Sequence, residues 1–334
     1  MNKKNIHVEH SFSTLSVLAT GYLGPALVPN RDLPWEEKNL PHPPEGLVQE
    51  ILGQPLRRAG RFIKLVCCGA LACLRSAPEK ILQDKKTGIF LATGLGNIDE
   101  ILPFITQVFK HDGGYPSPNQ FANSVSNAAA FYLAKRCDVK GLVLTVSQEE
   151  FSFESALWLA QTYLEAGEIE LALVGGCDVF TPTVEEYRER MNFHPGDVCV
   201  APMGEGSSWL LLGRSENRSV GRLLSVNLEI GFAGETPVAL GQQKLEEMAS
   251  TGNPPENEEK IRRIFLPGFR LSDTDRAAWA SDGWEVDDYL PFCGISPTAS
   301  AFGLARALSL YRSASIVHCN KDAHGKSALI AAST

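Results

Sequence analysis

The chain has 334 residues, of which 44% are hydrophobic and 21% are charged. This composition is typical of folded globular proteins and excludes disordered, collagen-like and disulfide-scaffold classes. A net charge of −8, from 31 basic and 39 acidic residues, argues against a surface for nucleic acid or anionic membrane. No apolar run reaches the ~20 residues of a membrane span and no secretion signal is visible, so we expect a cytoplasmic protein.

The cysteines and histidines predict neither disulfides nor a metal site. The eight cysteines mostly lie inside apolar runs, such as 65–74 and 171–177, which favours buried free thiols. The seven histidines do not share metal-ligand spacing with these cysteines. We therefore expect no metal and no other cofactor.

Helical and strand-like patterns alternate along the chain, which predicts a layered α/β fold. The first half has predicted helices at 56–74, 101–109, 123–130 and 151–166, and strands at 88–93, 141–147 and 171–176. The second half has predicted strands at 207–212, 223–230, 261–266, 315–319 and 327–332, helices at 237–248 and 300–311, and a surface loop at 251–259. Because strands and helices alternate in a similar way in both halves, we predict a duplicated architecture, with halves at 1–180 and 181–334 that pack as one unit.

Six segments occur in the order of landmarks found in the β-ketoacyl carrier-protein synthases of the thiolase superfamily. They are 56–73, beginning LRRAGRF; 116–130, containing NSVSNAAA; 166–178, from AGE to VGGCD; MGEGSS at 203–208; GISPTASA at 294–301; and the asparagine-led segment 320–330. Together they make most of the chain resemble this family. The resemblance implies the five-layer αβαβα thiolase fold, built from two similar halves, with the C-terminal half shortened.

The resemblance places a carboxylate where the family has its nucleophile. In these synthases a cysteine at a strand-to-helix elbow accepts the acyl chain, and the helix N-terminus supports its thiolate. The matching segment is TVSQEE at 145–150, and spacing back from Gly167 puts Glu150 in the cysteine position. Ser147 and Glu150 also fit a helix capping box. A structural cap and a catalytic carboxylate therefore both remain open for Glu150.

The two histidines that polarise the malonyl thioester in this family also have no counterpart. The first should follow strand 261–266, where PGFR at 267–270 leaves Gly268 near its position. Ile295 replaces the second. The asparagine-led loop is about two residues shorter than the family's, and its His324 is interpreted as a surface or lining residue, with a stray base as the alternative. The candidate pocket and elbow residues are Ser147, Gln148, Glu149, Glu150, Asn320 and His324.

With these departures, the chain resembles the catalytically degenerate chain-length-factor-like and aryl-polyene-type ketosynthase-like subunits more than the active enzymes. The resemblance implies a non-condensing subunit of fatty-acid or polyketide-type biosynthesis that engages acyl carrier protein and pairs with an active ketosynthase or with itself. The expected contact follows the edge strand at 141–147, and the predicted interface residues are Asn123, Ser124, Asn127 and Ala129.

Two other functions stay open at this point. One is a stand-alone thiolase-fold acyltransferase with a replacement group, either Glu150 as a base or Cys177 as a nucleophile. The other is a homodimeric module that binds acyl groups or carrier protein without chemistry.

Overall fold

The computed structural model describes residues 14–36, 42–110, 117–180, 183–193, 201–214, 219–229 and 261–334. The predicted helix at 237–248 and the loop at 251–259 lie outside these ranges. No helix within them is long and apolar enough to cross a bilayer.

The first half contains five strands and seven helices among the described residues. The strands are β1 Leu15–Gly21, β2 Thr87–Ala92, β3 Val143–Val146, β4 Leu171–Asp178 and β5 Gly206–Gly213. The helices are α1 Glu45–Leu52, α2 Arg61–Arg75, α3 Ile98–Lys110, α4 Pro118–Ser124, α5 Ala128–Cys137, α6 Ser152–Glu165 and α7 Val184–Arg190. A short 3-10 turn, Glu149–Phe151, connects β3 to α6.

The second half contains five strands and three helices within the described part of the chain. The strands are β6 Gly221–Glu229, β7 Arg262–Pro267, β8 Glu285–Val286, β9 Ala314–Lys321 and β10 Ser327–Ser333. The helices are α8 Asp273–Ser281, α9 Leu290–Cys293 and α10 Ala299–Leu310.

Strand order reveals the duplication. The hydrogen-bonded order is β3-β2-β4-β5-β1-β6-β10-β9-β7-β8, so each half uses its first to fifth strands in the order 3-2-4-5-1, and the two sets meet at β1 and β6. In each set the first three of these strands are parallel, and the remaining pairs are antiparallel. Because β5 pairs with both β4 and β1, the first set runs to residue 213, past the expected division at residue 180.

Three hydrophobic cores separate five layers of secondary structure. Helices α6 and α10 form the central layer, since each contacts strands of both halves, and their side chains contribute to the largest core. Helices α1, α2 and α5 cover the outer face of the first strand set. Helix α8 covers the second set through Trp279, which stacks on Phe265 of β7 at a centroid distance of 4.3 Å. This is the αβαβα arrangement expected from the sequence.

Most predicted elements are present, with one broken helix and several short elements missed. The sequence pattern predicted a helix at 123–130, but Val125 has an extended backbone and separates α4 from α5. Strands β1 and β8 and helices α1, α7, α8 and α9 were not predicted. The seven described cysteines are free thiols, and all except the half-buried Cys137 are buried.

Candidate functional site

The strand-to-helix elbow lies where β3 ends, at the carboxyl edge of the parallel strands. Ser147, Gln148 and Glu149 are exposed, whereas Glu150 is only 3% exposed. Glu149 has a φ of 47°, a left-handed conformation that non-glycine residues seldom adopt. This sharp turn directs the Glu150 side chain into the protein.

The predicted capping box at Ser147 is wrong. Helix α6 begins at Ser152, after Glu150, and its N-cap residue Phe151 makes no side-chain cap. Ser152 organises the turn instead, since its Oγ accepts a hydrogen bond from the Gln148 backbone N–H at 2.8 Å and donates to the Glu149 carbonyl at 2.7 Å. The Glu150 side chain is therefore free to make a long-range contact.

That contact is an ion pair with Arg270, three residues beyond the end of β7. Arg270 Nε and Nη2 each lie 2.8 Å from Glu150 Oε1. The guanidinium also donates to the Met191 carbonyl and lies over the Phe193 and Phe269 rings, 4.8 and 5.4 Å from their centroids. Sequestered charges of this kind are tolerated because each is paired and hydrogen bonded.

Asn320, the second-to-last residue of β9, connects the elbow to the second half. Its Nδ2 donates to the Glu150 carbonyl at 2.8 Å and to Glu154 Oε1 at 3.0 Å. An amide nitrogen carries two hydrogens, and here both are used. The predicted pocket residues Glu150 and Asn320 are therefore in direct contact.

A fully buried acid, Glu154, lies one helical turn after Glu150 on α6. Burial raises the pKa of Glu154 to about 7. His318 Nδ1 of β9 lies 3.9 Å from Glu154 Oε1, and its Nε2 is hydrogen bonded to the Tyr289 hydroxyl at 2.9 Å. Burial lowers the pKa of His318 to about 3, so this imidazole is neutral at physiological pH.

The positions expected for the two histidines are closed. A Cβ on Gly268 would lie 2.5 Å from Asn320 Oδ1 and 3.0 Å from the Cys319 carbonyl oxygen, so this position has no space for a side chain. Ile295 is fully buried in the central core. Its backbone bridges to the segment around Met203, with its N–H donating to the Pro202 carbonyl at 2.8 Å.

A third buried carboxyl group, that of Asp178 at the end of β4, joins the two halves beside the elbow. It accepts hydrogen bonds from Thr93 Oγ1 at 2.8 Å, from the Gly94 and Leu95 backbone N–H groups at 3.0 Å, and from Thr298 Oγ1 at 2.9 Å. Burial raises the pKa of Asp178 to about 6. Because most of its hydrogen-bonding capacity is used within the fold, Asp178 has the contacts of a structural residue.

Two predicted candidates, His324 and Cys177, do not contact the buried network formed by Glu150, Arg270, Asn320, Glu154 and His318. His324 is exposed in the tight turn between β9 and β10, where its N–H donates to Asp322 Oδ1 at 2.9 Å. Cys177 is fully buried in β4, and burial raises the pKa of its thiol well above the ordinary value. Neither environment suits a base or nucleophile at the elbow.

The predicted interface residues divide into two groups. Asn123 is buried, and its side-chain amide donates to the Arg58 carbonyl. Ala129 is 0% exposed and packs in the core between α2 and α5. Ser124 is half-buried and Asn127 is exposed, so only these two lie on the surface of a single chain.

The network also contains residues that sequence reasoning did not assign. Glu154 lies in α6, His318 in β9, Arg270 after β7 and Tyr289 before α9, so these four residues meet only through tertiary packing. The one available signal was the charged side chain of Arg270 directly after a buried strand, at the place where a histidine was expected.

The duplicated strand sets, together with an elbow that contacts β9, define a thiolase-like fold. The β-ketoacyl synthase N-terminal domain model matches residues 48–194. Residues 48–194 are thus similar to a β-ketoacyl synthase N-terminal domain, and the chain has the thiolase-like fold that the sequence resemblance predicted. No curated protein matches the sequence.

Solved structures of ketosynthases share this fold across nearly the whole chain. The ishigamide ketosynthase/chain length factor has a TM-score of 0.73 at 18% identity, over 96% of this chain and 99% of that one. The PfaC ketosynthase-chain length factor has a TM-score of 0.68 at 12% identity, over 99% of this chain and 44% of that one. A type II polyketide synthase complex, AntDE:AntF, in which the acyl carrier protein accompanies a ketosynthase bound to the hexaketide, has a TM-score of 0.64 at 14% identity, over 96% and 99%.

Proposed function

We propose that this chain is a non-condensing ketosynthase-like subunit, of the chain-length-factor kind, in fatty-acid or polyketide-type biosynthesis. The ion pair between Glu150 and Arg270 at the elbow carries this proposal. Condensation in this family begins when a cysteine at the elbow accepts an acyl group. A carboxylate cannot form that thioester, and here Arg270 holds it in place.

The two histidines that the second step of condensation requires are also replaced in this chain. Two histidines stabilise the enolate formed from malonyl thioester in the active enzymes, as preorganised donors. Gly268 and Ile295 stand at or near their positions and offer no side-chain donor, and Gly268 has no space for a side chain. The buried His318 points to Tyr289 and Glu154 instead.

The partner that fits this function is an active ketosynthase, with acyl carrier protein as the donor of acyl groups in the cytoplasm. The similar structures support it, because two are ketosynthase and chain length factor pairs by name and a third contains an acyl carrier protein. The edge strand β3 supports it too, since among described strands it pairs with β2 alone. An unpaired edge is a template for another strand.

A condensation assay tests the proposal directly. A cysteine-bearing ketosynthase from the same organism would be assayed with acyl- and malonyl-carrier protein, alone and with this chain at equal concentration. We expect this chain alone to give no product and its addition to increase the amount or the length of product. Product from this chain alone, or no effect of adding it, contradicts the proposal.

A further inference from the structure

Glu154, His318 and Tyr289 form a buried row of polar side chains across the joint between the two halves, here called the polar row. Glu154 comes from α6 of the first half, whereas His318 lies in β9 and Tyr289 precedes α9 in the second half. All three side chains are buried, and the Tyr289 and His318 rings are in contact at a centroid distance of 5.8 Å. Polar groups in such an interior are expected to hydrogen bond to one another.

The two ends of the polar row differ in their hydrogen bonding. At one end, His318 Nε2 lies 2.9 Å from the Tyr289 hydroxyl. At the other end, Glu154 Oε1 accepts from Asn320 Nδ2 at 3.0 Å and lies 3.9 Å from His318 Nδ1, which is too long for a hydrogen bond. Among the described residues, Glu154 Oε2 and His318 Nδ1 are buried and have no hydrogen-bond partner. A rotation of the carboxyl group can bring it into contact with Nδ1, and one of the two must then carry a hydrogen.

The position of that hydrogen depends on whether Glu154 is protonated. A neutral imidazole has one N–H and one acceptor nitrogen, and its partners determine which nitrogen is which. A carboxylic acid at Glu154 donates to Nδ1, so the imidazole N–H is at Nε2 and donates to the Tyr289 oxygen. A carboxylate can only accept, so the N–H is at Nδ1 and Nε2 accepts from the Tyr289 hydroxyl. Burial lowers the pKa of His318 to about 3 and raises the pKa of Glu154 to about 7, so the imidazole stays neutral while the acid ionises.

We propose that the polar row is a proton-operated switch, in which loss of the Glu154 proton changes the tautomer of His318 and reverses the direction of its hydrogen bond to Tyr289. In this step the carboxyl O–H and imidazole Nε2–H bonds break, an Nδ1–H bond forms, and one proton is released to solvent. The Tyr289 O–H turns towards Nε2. The switch reaches the elbow through Asn320, because its amide nitrogen donates to Glu154 and to the Glu150 carbonyl.

The other charged and titratable groups that face the polar row come from the elbow, β9, α8 and α9 and from the residues that follow β7 and precede α9. The carboxylates among them are in ion pairs, Glu150 with Arg270 and Asp288 with Arg276. Burial raises the pKa of the Cys293 and Cys319 thiols and of the Tyr289 hydroxyl above their ordinary values, so these groups stay protonated at neutral pH. Glu154 is therefore the member of the polar row whose charge changes near neutral pH.

Long-range proton–nitrogen correlation NMR of the full-length chain, with isotope-labelled histidine, tests the switch because it shows which imidazole nitrogen carries the hydrogen. The His318 signals are identified from Tyr289→Phe, which should shift the Nε2 signal of His318. We expect the hydrogen at Nε2 at about pH 6 and at Nδ1 at about pH 8. Glu154→Gln should keep it at Nε2 at both pH values, because a neutral amide can donate to Nδ1 at any pH. The matched control is Glu168→Gln, an exposed site just after α6, which should retain the change.

Three results would overturn the switch. They are the same His318 tautomer at both pH values in the wild type, a doubly protonated His318 at about pH 6, and a tautomer change that persists in Glu154→Gln. Circular dichroism melts establish that each variant is folded, and the wild-type spectra decide the question even if a variant is not. The switch operates within a single chain, so its failure would leave the proposed function in place.

Discussion

At the scale of single residues, the change in unfolding free energy caused by replacing Glu150 should depend on whether Arg270 is present, and the reverse. Replacing Arg270 by Met leaves a buried carboxylate without its counterion, which costs on the order of 3 kcal/mol. Replacing both, as Glu150→Leu with Arg270→Met, removes both charges and should cost clearly less than the two single changes added together. Urea unfolding of the four proteins measures this coupling. Additive effects would mean that the pair contributes no interaction energy.

The raised pKa of Glu154 predicts that the free energy of unfolding depends on pH. Its folded-state pKa is raised from 4.5 to about 7, so the folded protein holds a proton that the unfolded chain releases near its ordinary pKa. The resulting stabilisation is complete below pH 4.5 and is lost as pH rises to about 7, roughly 3 kcal/mol in total. Glu154→Gln should flatten this part of the profile, leaving a smaller slope from Asp178. An unchanged slope in the unfolding free energy would contradict the assignment.

Gly268 explains why a histidine cannot simply be restored. Gly268→Ala places a Cβ against Asn320 and the Cys319 carbonyl, so it should destabilise the protein, and Gly268→His should do so more strongly without producing condensation activity. Gly46→Ala in α1 is the control, because nothing lies within 4 Å of its Cβ and alanine favours helix. Equal melting temperatures for Gly268→Ala and the wild type would disprove this packing argument.

At the scale of elements, α5 has one face in the core and one in solvent. The sequence predicted Ala129 to be an interface residue, but Ala129 is buried against α2. Ala129→Arg should therefore unfold the chain or lower its stability by several kcal/mol. Asn127→Arg, at the exposed start of the same helix, should be tolerated. Circular dichroism melts distinguish the two, and a stably folded Ala129→Arg protein would contradict the placement.

The elements that the sequence predicted are those with a strong local signal. Strands β2 and β4 are apolar runs buried on both faces, and α2 and α6 follow the helical period, so periodicity locates them. The three-residue separation of α4 from α5 depends on the extended backbone at Val125, which small polar residues around it do not disclose. Strand β1 was missed because its position in the middle of the sheet depends on pairing with β5 and β6.

The elbow shows the same limit at the site. Glu150 was assigned to the nucleophile position from spacing, and Asn320 was grouped with the elbow because it begins the family's asparagine-led loop. The capping interpretation used only residues within one turn, whereas the carboxylate contacts Arg270, 120 positions away in the chain. Side chains that meet across the two halves have no signature in a single sequence.

At the scale of the whole molecule, the two halves are joined through the elements that an active synthase would use for catalysis. Asp178 holds the N-terminal end of α10 to β4, and Asn320 holds β9 to the elbow. Around this junction, the described residues make structural contacts at the positions where active β-ketoacyl synthases have their nucleophile and histidines. The fold is thereby kept, and with it the open edge of β3 among the described strands.

The central claim is that this chain supplies a surface and its partner supplies the chemistry. Intact-mass spectrometry of the reconstituted complex, after incubation with acyl-carrier protein, measures which chain carries the acyl group. We expect the acyl mass on the cysteine-bearing ketosynthase alone and the unmodified mass for this chain. A stable acyl adduct on this chain, on Cys177 or any other residue, would contradict the account.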